Sequence, residues 1–506
     1  MLIIPFSSLR RSAEKVSPFL VIALILAFCI EGAWGLKADL GGDATQNFLS
    51  SYNFYSNFEY GHDIGDPGYR REPFPNWFLA AFLWLFYRPI SGLTKEQVLD
   101  NVDILNASVH VNVLWAGILF FAVWGLCRSL FSSSLMADFV AINSIIISQS
   151  SFVKFEYPSL NTELPAAAMI AIFSLSLTIS LLNKTPISYL FVGLSYGLLV
   201  LTKASGAYIG FAIIPLIACL FSVKARTLYG FLSTKFLRIL LLITLGFSLM
   251  VAPWVCRNYF EFGRPAIAEG GGRVLWIRSE FNKINSHQYF GAFYAYSPEL
   301  VRESVWENIL GNNPSQLECG GDLQLHNRGE SCDKYLLSLG RAGDIKQFDK
   351  VVSLYERGKK ALPEKMKAEA RAAGVKFDLD QEGKKIFLDG LRNQPLNHVL
   401  LTIPLAWRGV WSFGHSDWTG VIVNFLVMVN LIFLPVIAMA LKNKSLLLLS
   451  LAPAGYFWFY ALLSQFWPRF AEPFIPIGCV LFAYTLAICI QKYPLNSSKL
   501  TSSVRV

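Results

Sequence analysis

The sequence predicts an all-α integral membrane protein, a bundle of about ten transmembrane helices with a soluble insertion of mostly α or α/β structure. Of its 506 residues, 54% are hydrophobic and only 16% are charged, whereas a soluble globular protein carries about 25% charged residues. About ten apolar runs reach the length of roughly 17 to 25 residues that a transmembrane helix needs. No stretch shows the roughly ten-residue alternation of an outer-membrane β-barrel strand.

The first apolar run, residues 17–36, follows Arg10, Arg11 and Lys15. It is long for the core of a signal peptide and lacks a convincing small-residue cleavage site, so we expect a retained first helix with a cytoplasmic N-terminus. Further spans are predicted at residues 107–127, 134–151, 163–182, 187–204, 206–223, 236–254, 420–441, 445–464 and 471–490.

The formal net charge of +9 comes largely from basic residues in the short connections between the apolar runs. The positive-inside rule assigns such connections to the cytoplasm, and ten spans place them there. The charge therefore indicates topology in a lipid bilayer, and no nucleic-acid partner is expected. If one more apolar run, residues 74–90, crossed the membrane, every later connection would change sides and the basic ones would lie outside. We expect it to lie on the outer interface as an amphipathic or half-inserted helix.

Three regions follow from these spans. Residues 1–256 form the predicted N-terminal transmembrane catalytic module, in which residues 37–106 are the first extracytoplasmic loop. Residues 257–418 carry most of the charged residues and are predicted to be an extracytoplasmic soluble insertion, because a cytoplasmic domain would conflict with the helix parity. Residues 419–506 supply the C-terminal transmembrane helices and a cytoplasmic tail.

The insertion contains three features with local predictions. Cys319 and Cys332 could form a disulfide on the extracytoplasmic side, and the alternative is two free thiols. The glycine run at 270–272 is interpreted as a flexible connection, because no strand precedes it and no Lys-Ser/Thr follows it. Residues 397–413 are amphipathic enough to lie along the membrane before the next span.

The stretch from Lys37 to Trp77 concentrates acidic and basic residues in an otherwise apolar chain. Asp43 lies five residues beyond the expected membrane exit near Ala38. A carboxylate can act there, at the lipid–water boundary, without entering hydrocarbon. The alternative interpretation of Asp43 is a solvated acid that follows a helix.

A second candidate group on this stretch is His62, Asp63 and Asp66, since imidazole and carboxylates bind divalent metal ions. The surrounding residues HDIGDPG have the composition of a turn, and no DxD sequence accompanies Asp43. We therefore interpret this segment as a turn. His415 is interpreted as an interfacial side chain rather than a base.

Five short motifs occur in an order that resembles a known superfamily. They are GGDA at 41–44, RREPFPNWFLAAFLWLF at 70–86, LTKASG at 201–206, PWVCRNYFEFGRP at 253–265 and WPRFAEPFIP at 467–476. Together with the predicted topology they resemble the GT-C superfamily of integral-membrane glycosyltransferases. Within it, the bacterial relatives of protein O-mannosyltransferases and the lipid A aminoarabinose transferase are the most similar. The resemblance covers the first 265 residues and the last 40 or so.

The resemblance implies an enzyme of the bacterial plasma membrane that transfers a sugar from a polyprenyl-phosphate carrier to an extracytoplasmic acceptor with inversion. The attacking hydroxyl of the acceptor has to lose a proton, and Asp43 is the candidate general base. The leaving lipid phosphate needs cations, and arginine binds phosphate oxygens in pairs. Arg71, or Arg70 beside it, and Arg257 match the arginines of the family motifs. Their alternative role is that of snorkelling anchors.

Other charged residues match the family less closely. Glu163 is the second catalytic candidate, an acid that would orient the base or the sugar; it opens the fourth span where relatives place a second acid, but glutamate replaces the usual aspartate and Glu156 competes for the position. An acid favoured by the helix macrodipole is an adequate alternative. Lys203 and Arg469 either contact a phosphate or mark the membrane boundary. No resident cofactor is implied, since the polyprenyl-phosphate sugar is a co-substrate, and a divalent metal stays open.

Two other classes of protein share part of this pattern. A transporter or flippase of lipid-linked saccharides also has many spans, but it usually shows related halves and charges near the bilayer midplane. An envelope-polymer ligase that uses lipid-pyrophosphate donors also collects arginines at the outer face. Neither the sugar nor the acceptor is specified by the sequence, and the acceptor could be lipopolysaccharide, another envelope glycan, a lipid or a protein.

Overall fold

The computed structural model describes residues 6–63, 67–222, 233–326, 333–334, 337–338, 350–413 and 417–493. The described residues form helices and contain no β-strand, so the predicted all-α class is confirmed. Nine of the described helical segments are long and apolar enough to cross a membrane. The protein is therefore a multi-pass membrane protein.

The α-helices of six or more residues are, in chain order, α1 (Phe6–Ala33), α2 (Asp43–Asn57), α3 (Pro73–Phe82), α4 (Lys95–Asp100), α5 (Val102–Val109), α6 (Val111–Leu130), α7 (Ser134–Phe155), α8 (Glu163–Asn183), α9 (Pro186–Thr202), α10 (Ser205–Ser222), α11 (Thr234–Phe262), α12 (Gly271–Phe281), α13 (Ser286–Tyr296), α14 (Leu362–Ala372), α15 (Leu379–Asn393), α16 (Pro395–Leu400), α17 (Thr402–Val410), α18 (Trp418–Ala440), α19 (Lys444–Leu463) and α20 (Ile475–Lys492).

The nine candidate spans are formed by α1, α5 with α6, α7, α8, α10, α11, α18, α19 and α20. They overlap nine of the ten spans predicted from the sequence. The tenth corresponds to α9, whose 17 residues give a length of about 26 Å, so its crossing stays a prediction. The run predicted to be interfacial forms α3 and a π-helical turn, Leu83–Tyr87, which are too short to span.

The chain divides into two compact units. The first comprises Met1–Ala268, Val427–Tyr456 and Glu472–Val506, and the second comprises Glu269–Leu426 and Phe457–Ala471. The second unit overlaps the insertion that the sequence predicts at 257–418, with a short additional segment from later in the chain. The placement of this region outside the cytoplasm stays a prediction.

Within the first unit, α9 and α11 approach each other through glycines. A Cβ atom at Gly193 would lie 2.0 Å from the carbonyl oxygen of Ile243, and one at Gly246 would lie 2.3 Å from that of Leu190. Small residues allow this close backbone contact, which is a common way for helices to associate in membranes. The pairing with α11 thus fixes α9 despite its short length.

An ion pair closes the hairpin between α6 and α7. Asp138, which is almost fully buried, accepts hydrogen bonds from Nε and Nη2 of Arg128 at 2.8 and 2.7 Å. The indole nitrogen of Trp124 donates to the same carboxylate at 2.8 Å. Three donors thereby satisfy a carboxylate that would be costly to bury alone.

The second unit has a core of aromatic residues and polar networks. Trp276 and Tyr294 are fully buried and pack this core. Arg278 is also buried, and its guanidinium donates to Asn282 Oδ1 at 2.6 Å and to the carbonyl oxygen of His398 at 2.7 Å. Burial lowers the pKa of Arg278 to about 9, which leaves it charged at neutral pH.

One prediction for this unit is wrong. The glycine run at 270–272 begins α12 and is not a flexible connection. The backbone nitrogen of Gly272 donates to Asp380 Oδ1 at 2.7 Å, and a Cβ atom there would lie 2.1 Å from the carbonyl oxygen of Asp380. The glycine is therefore needed for close helix packing against α15.

The predicted disulfide concerns Cys319, which is disulfide-bonded. The other six cysteines that the structure describes are free. Cys332, the partner expected from the sequence, lies outside the described residues. The free-thiol alternative is thereby excluded for Cys319.

Replacing Asp138 by alanine should destabilise the protein, because Arg128 and Trp124 would lose a charged acceptor in an apolar environment. We expect a loss of about 2 to 3 kcal/mol, measured as a lower midpoint of thermal unfolding in detergent. The matched control is Asp100→Ala, which removes an exposed aspartate. Equal midpoints for the two variants would show that the hairpin does not depend on the ion pair.

Candidate active site

Asp43 is the first residue of α2 and follows a non-helical segment. Gly42, the N-cap residue, has a positive φ of 53°, which glycine adopts readily. Two backbone hydrogen bonds hold the segment before it. The backbone nitrogen of Ala38 donates to Asn106 Oδ1 at 2.9 Å, and that of Asp39 donates to the carbonyl oxygen of Pro158 at 2.8 Å. Asp43 is thus fixed in position, although 45% of its side chain is exposed.

Arg71 contacts the carboxylate of Asp43 directly. Its Nη2 forms an ion pair with Asp43 Oδ1, and its Nε donates to Gln46 Oε1 at 3.0 Å. Gln46 lies one helical turn beyond Asp43, so the planar guanidinium bridges the first turn of α2. The structure therefore brings together the acid and one of the four arginines that the sequence singles out.

A buried tyrosine positions the backbone of Arg71. The hydroxyl of Tyr60 lies 3.1 Å from the carbonyl oxygen of Arg71 and 2.9 Å from that of Glu72, and it accepts from Asn76 Nδ2 at 2.6 Å. Burial raises the pKa of Tyr60 well above its usual value, with the Asn76 hydrogen bond acting in the opposite direction. The phenol therefore stays protonated and serves as a donor.

Arg257, on α11, holds the loop that leads to Arg71. Its Nη1 donates to the carbonyl oxygen of Gly68 at 2.9 Å, and its Nη2 lies 3.5 Å from the carbonyl oxygen of Tyr60. Nη2 also forms an ion pair with Glu261 at 2.7 Å, and the guanidinium lies over the Trp254 ring. These contacts make Arg257 a support for the loop between α2 and α3.

A second acid–base pair joins two helix ends. Glu163, the first residue of α8, is 3% exposed, and its Oε1 lies 3.2 Å from Lys203 Nζ. Lys203 is extended, with φ −140° and ψ 98°, at the break between α9 and α10. The rival acid, Glu156, is the C-cap residue of α7. Of these two acids, the structure places Glu163 against Lys203.

Glu72 connects the two pairs, and sequence reasoning missed it. It is the neighbour of Arg71 and the N-cap residue of α3, and its Oε1 accepts from the backbone nitrogen of Ala204 at 3.3 Å. Ala204 follows Lys203 directly. The only signal in the sequence is the position of Glu72 between the two arginines and the prolines of the second motif.

The possible metal site does not assemble among the described residues. Asp63 forms an ion pair with Lys95 at 2.6 Å, and its Oδ2 lies 2.9 Å from His62 Nε2. The hydrogen bond from Lys95 is the main reason that the pKa of Asp63 lies below its usual range, and the charge of Arg70 adds to the effect. Asp66 lies outside the described residues, and no group of three metal-ligating side chains occurs within them.

Arg469 belongs to the second unit. It lies in the short 3-10 helix Pro468–Phe470, and its guanidinium lies 5.4 Å from the centre of the Phe470 ring. Its assignment to the donor phosphate stays a prediction. His415 lies outside the described residues.

An apolar groove of about 600 Å³ lies between α1, α6 and α8. It is lined by Cys29, Val113, Leu114, Gly117, Ile118, Phe121, Ala122, Ile172 and Leu175. The groove therefore lies between apolar faces of three helices.

No protein-family model matches the chain, and no curated protein matches it. Among solved structures, the chain is similar to the oligosaccharyltransferase AglB from Archaeoglobus fulgidus in complex with an inhibitory peptide and a dolichol-phosphate. The identity is 13%, the match covers 94% of this chain and 51% of that chain, and the TM-score is 0.46. The chain is likewise similar to the apo form of the Archaeoglobus fulgidus oligosaccharyltransferase. There the identity is 15%, the match covers 96% of this chain and 51% of that chain, and the TM-score is 0.47.

The chain is also similar to ArnT from Cupriavidus metallidurans bound to undecaprenyl phosphate, with 10% identity, coverage of 91% of this chain and 77% of that chain, and a TM-score of 0.34. The chain spans about half the length of the archaeal proteins. These neighbours are membrane glycosyltransferases of the GT-C superfamily, which the sequence motifs resemble. At TM-scores this low, the similarity carries no functional argument, and the function has to be inferred from the residues of this chain.

Replacing Arg257 by leucine should loosen the loop between α2 and α3, because two backbone carbonyls lose a charged donor. We expect a loss of stability of about 1 to 3 kcal/mol, measured by thermal unfolding, together with faster proteolysis within the loop. Glu261→Gln is the control, since it removes only a half-exposed ion pair, which contributes about 0 to 1 kcal/mol. Equal effects of the two variants would contradict a support role for the carbonyl contacts.

Proposed function

We propose that this protein is an integral-membrane glycosyltransferase, which transfers a sugar from a polyprenyl-phosphate-linked donor to an acceptor with inversion at the anomeric carbon. The observation that carries the proposal is the contact between Asp43 and Arg71, an acid and a phosphate-binding fork beside the first membrane exit. The motif order supports a bacterial plasma-membrane enzyme with an extracytoplasmic site. The acceptor would be lipopolysaccharide, another envelope glycan, a lipid or a protein.

Asp43 would act as the general base. The acceptor hydroxyl loses its proton as its oxygen attacks the anomeric carbon, and a positioned carboxylate typically accelerates such a step by about 10² to 10⁴. The half-exposed side chain of Asp43 can be reached by an acceptor, while its fixed place on α2 sets the direction of attack. The proton passes to Asp43, and the lipid phosphate leaves from the opposite face of the sugar.

Arg71 would stabilise the charge that develops on the leaving phosphate. Its guanidinium has five N–H donors, of which the contacts with Asp43 and Gln46 use only two. The others can bind phosphate oxygens while the base stays in contact. Charge stabilisation by preorganised donors of this kind is usually the largest contribution to catalysis.

Lys203 would provide a second cation for the phosphate, and Glu163 would hold its ammonium group in place. Glu72 would fix the position of this pair relative to Arg71, because its carboxylate accepts a hydrogen bond from the backbone of Ala204, the neighbour of Lys203. The contacts of Arg257 favour a positioning role, in which it supports the loop that carries Arg71. Direct phosphate contacts by Arg70, Arg257 and Arg469 stay predictions.

The apolar groove between α1, α6 and α8 would accept part of the isoprenoid chain of the donor. Its lining offers no polar side chain other than the thiol of Cys29. An isoprenoid chain gains free energy from contact with such a surface, and it needs no directional partners.

The Asp43→Asn variant should lose transfer activity by at least about 100-fold, because the base would lose its basicity while its size stays the same. The assay measures release of free polyprenyl phosphate from a panel of polyprenyl-phosphate hexoses and pentoses, with membrane extracts as acceptors. Asp39→Asn is the matched control, since Asp39 is an exposed aspartate on the same segment. Normal turnover by Asp43→Asn would contradict the proposed base.

The Arg71→Lys variant should lower the transfer rate by about 10- to 100-fold, since lysine keeps the charge but loses the fork that binds Asp43, Gln46 and phosphate together. This range corresponds to the 1.5 to 3 kcal/mol of a charged hydrogen bond, with about 1.4 kcal/mol for each factor of ten. Arg70→Lys serves as the comparison. A larger loss of transfer rate in Arg70→Lys would indicate that Arg70, rather than Arg71, binds the phosphate.

A further inference from the structure

An exposed apolar stripe runs along the second unit. Leu396, Val399 and Leu400 of α16 and Ile403 of α17 follow the i, i+3, i+4, i+7 spacing of one helix face, and they are 67%, 58%, 42% and 51% exposed. Phe290 of the adjacent α13 is 68% exposed. We call these five residues the apolar stripe. A contiguous exposed patch of large apolar side chains marks an interaction surface.

The orientation of the stripe is fixed by polar contacts on the opposite face of the helices. His398 is buried between stripe residues, and its carbonyl oxygen accepts from Arg278 Nη2 at 2.7 Å. Its ring lies within hydrogen-bond distance of Asn282, with Nδ1 3.2 Å from the amide nitrogen. The hydroxyl of Tyr289 donates to the carbonyl oxygen of Leu400 at 3.3 Å and joins α13 to α16.

The helix cannot rotate to bury the stripe unless these contacts break. The buried guanidinium of Arg278 would then lose one of its acceptors, the carbonyl oxygen of His398, which is costly. The exposure of the stripe is therefore a stable feature of the second unit. A partner must cover it.

Closeness in sequence to a candidate membrane span favours lipid as the partner. α17 ends at Val410 and α18, a candidate span, begins at Trp418. Trp418 and Ile422 at the start of α18 belong to the same unit and are 44% and 54% exposed. The described residues between Ile403 and Trp418 are mostly buried, so the stripe is linked to this candidate span by a short stretch of chain.

The composition of the stripe also fits lipid. Four of its five residues are aliphatic, whereas protein interfaces are anchored mainly by tryptophan, tyrosine and arginine. Polar residues flank it, since Asn393, Gln394 and Asn397 are exposed around the start of α16. An amphipathic helix of this kind buries its apolar face about 5 to 10 Å into the headgroup region.

We propose that the apolar stripe binds the lipid bilayer, so that the second unit rests on the membrane through α16, α17 and Phe290. The bound surface is the boundary between headgroups and acyl chains. This contact is independent of the proposed sugar transfer.

The test is a depth measurement on the full-length protein in lipid nanodiscs. A nitroxide is attached to an unnatural ketone amino acid at position 399 or 403, which leaves the native cysteines unchanged. Electron paramagnetic resonance then compares the access of oxygen, which partitions into lipid, with that of a water-soluble nickel chelate. Ile422 on α18 serves as the lipid reference and Lys385, exposed on α15, as the aqueous reference.

We expect the oxygen-to-nickel ratio at 399 and 403 to be several-fold higher than at 385 and to approach that at 422. A ratio equal to that at 385 would overturn the proposal, because the stripe would face water. Exclusion of both reagents would also overturn it, because a protein surface or a second copy would then cover the stripe. The measurement requires no activity, so its outcome does not depend on the proposed function.

Discussion

Polar groups beside apolar helices have to find their partners within the protein, because hydrocarbon offers none. Three groups of contacts in the first unit illustrate this constraint. Arg257 satisfies carbonyl oxygens of the loop between α2 and α3, the hydroxyl of Tyr60 satisfies those that follow, and Asp138 collects three donors in the α6–α7 hairpin. Each contact fixes a backbone segment that would otherwise have several conformations.

The same constraint gives the site its charge arrangement. A buried carboxylate such as Glu163 is tolerated because Lys203 is beside it, and Asp43 has the guanidinium of Arg71. In the proposed reaction a phosphate would approach both cations. Each cation would then be shared between its carboxylate and the phosphate. Glu72 matters here because it joins the two pairs through the backbone of Ala204.

The sequence predicts the helical class and nine spans well, because long apolar runs are a strong and local signal. It also singles out Asp43 and Arg71, but not their direct contact, which depends on how the loop between them folds. The role of Gly272 was predicted wrongly, since its close neighbour is Asp380 on a distant helix. Glu72 was missed for the same reason, because its partner lies 132 residues further along the chain.

The contact between Arg257 and Gly68 joins residues 189 positions apart, and this separation has a consequence for biosynthesis. Asp43, Arg71 and the loop between them leave the ribosome long before Arg257 does. Until α11 has been made, the carbonyl oxygens of the loop lack their guanidinium donor. The geometry of the acid and its arginine therefore becomes fixed late in membrane insertion, when most of the first unit already exists.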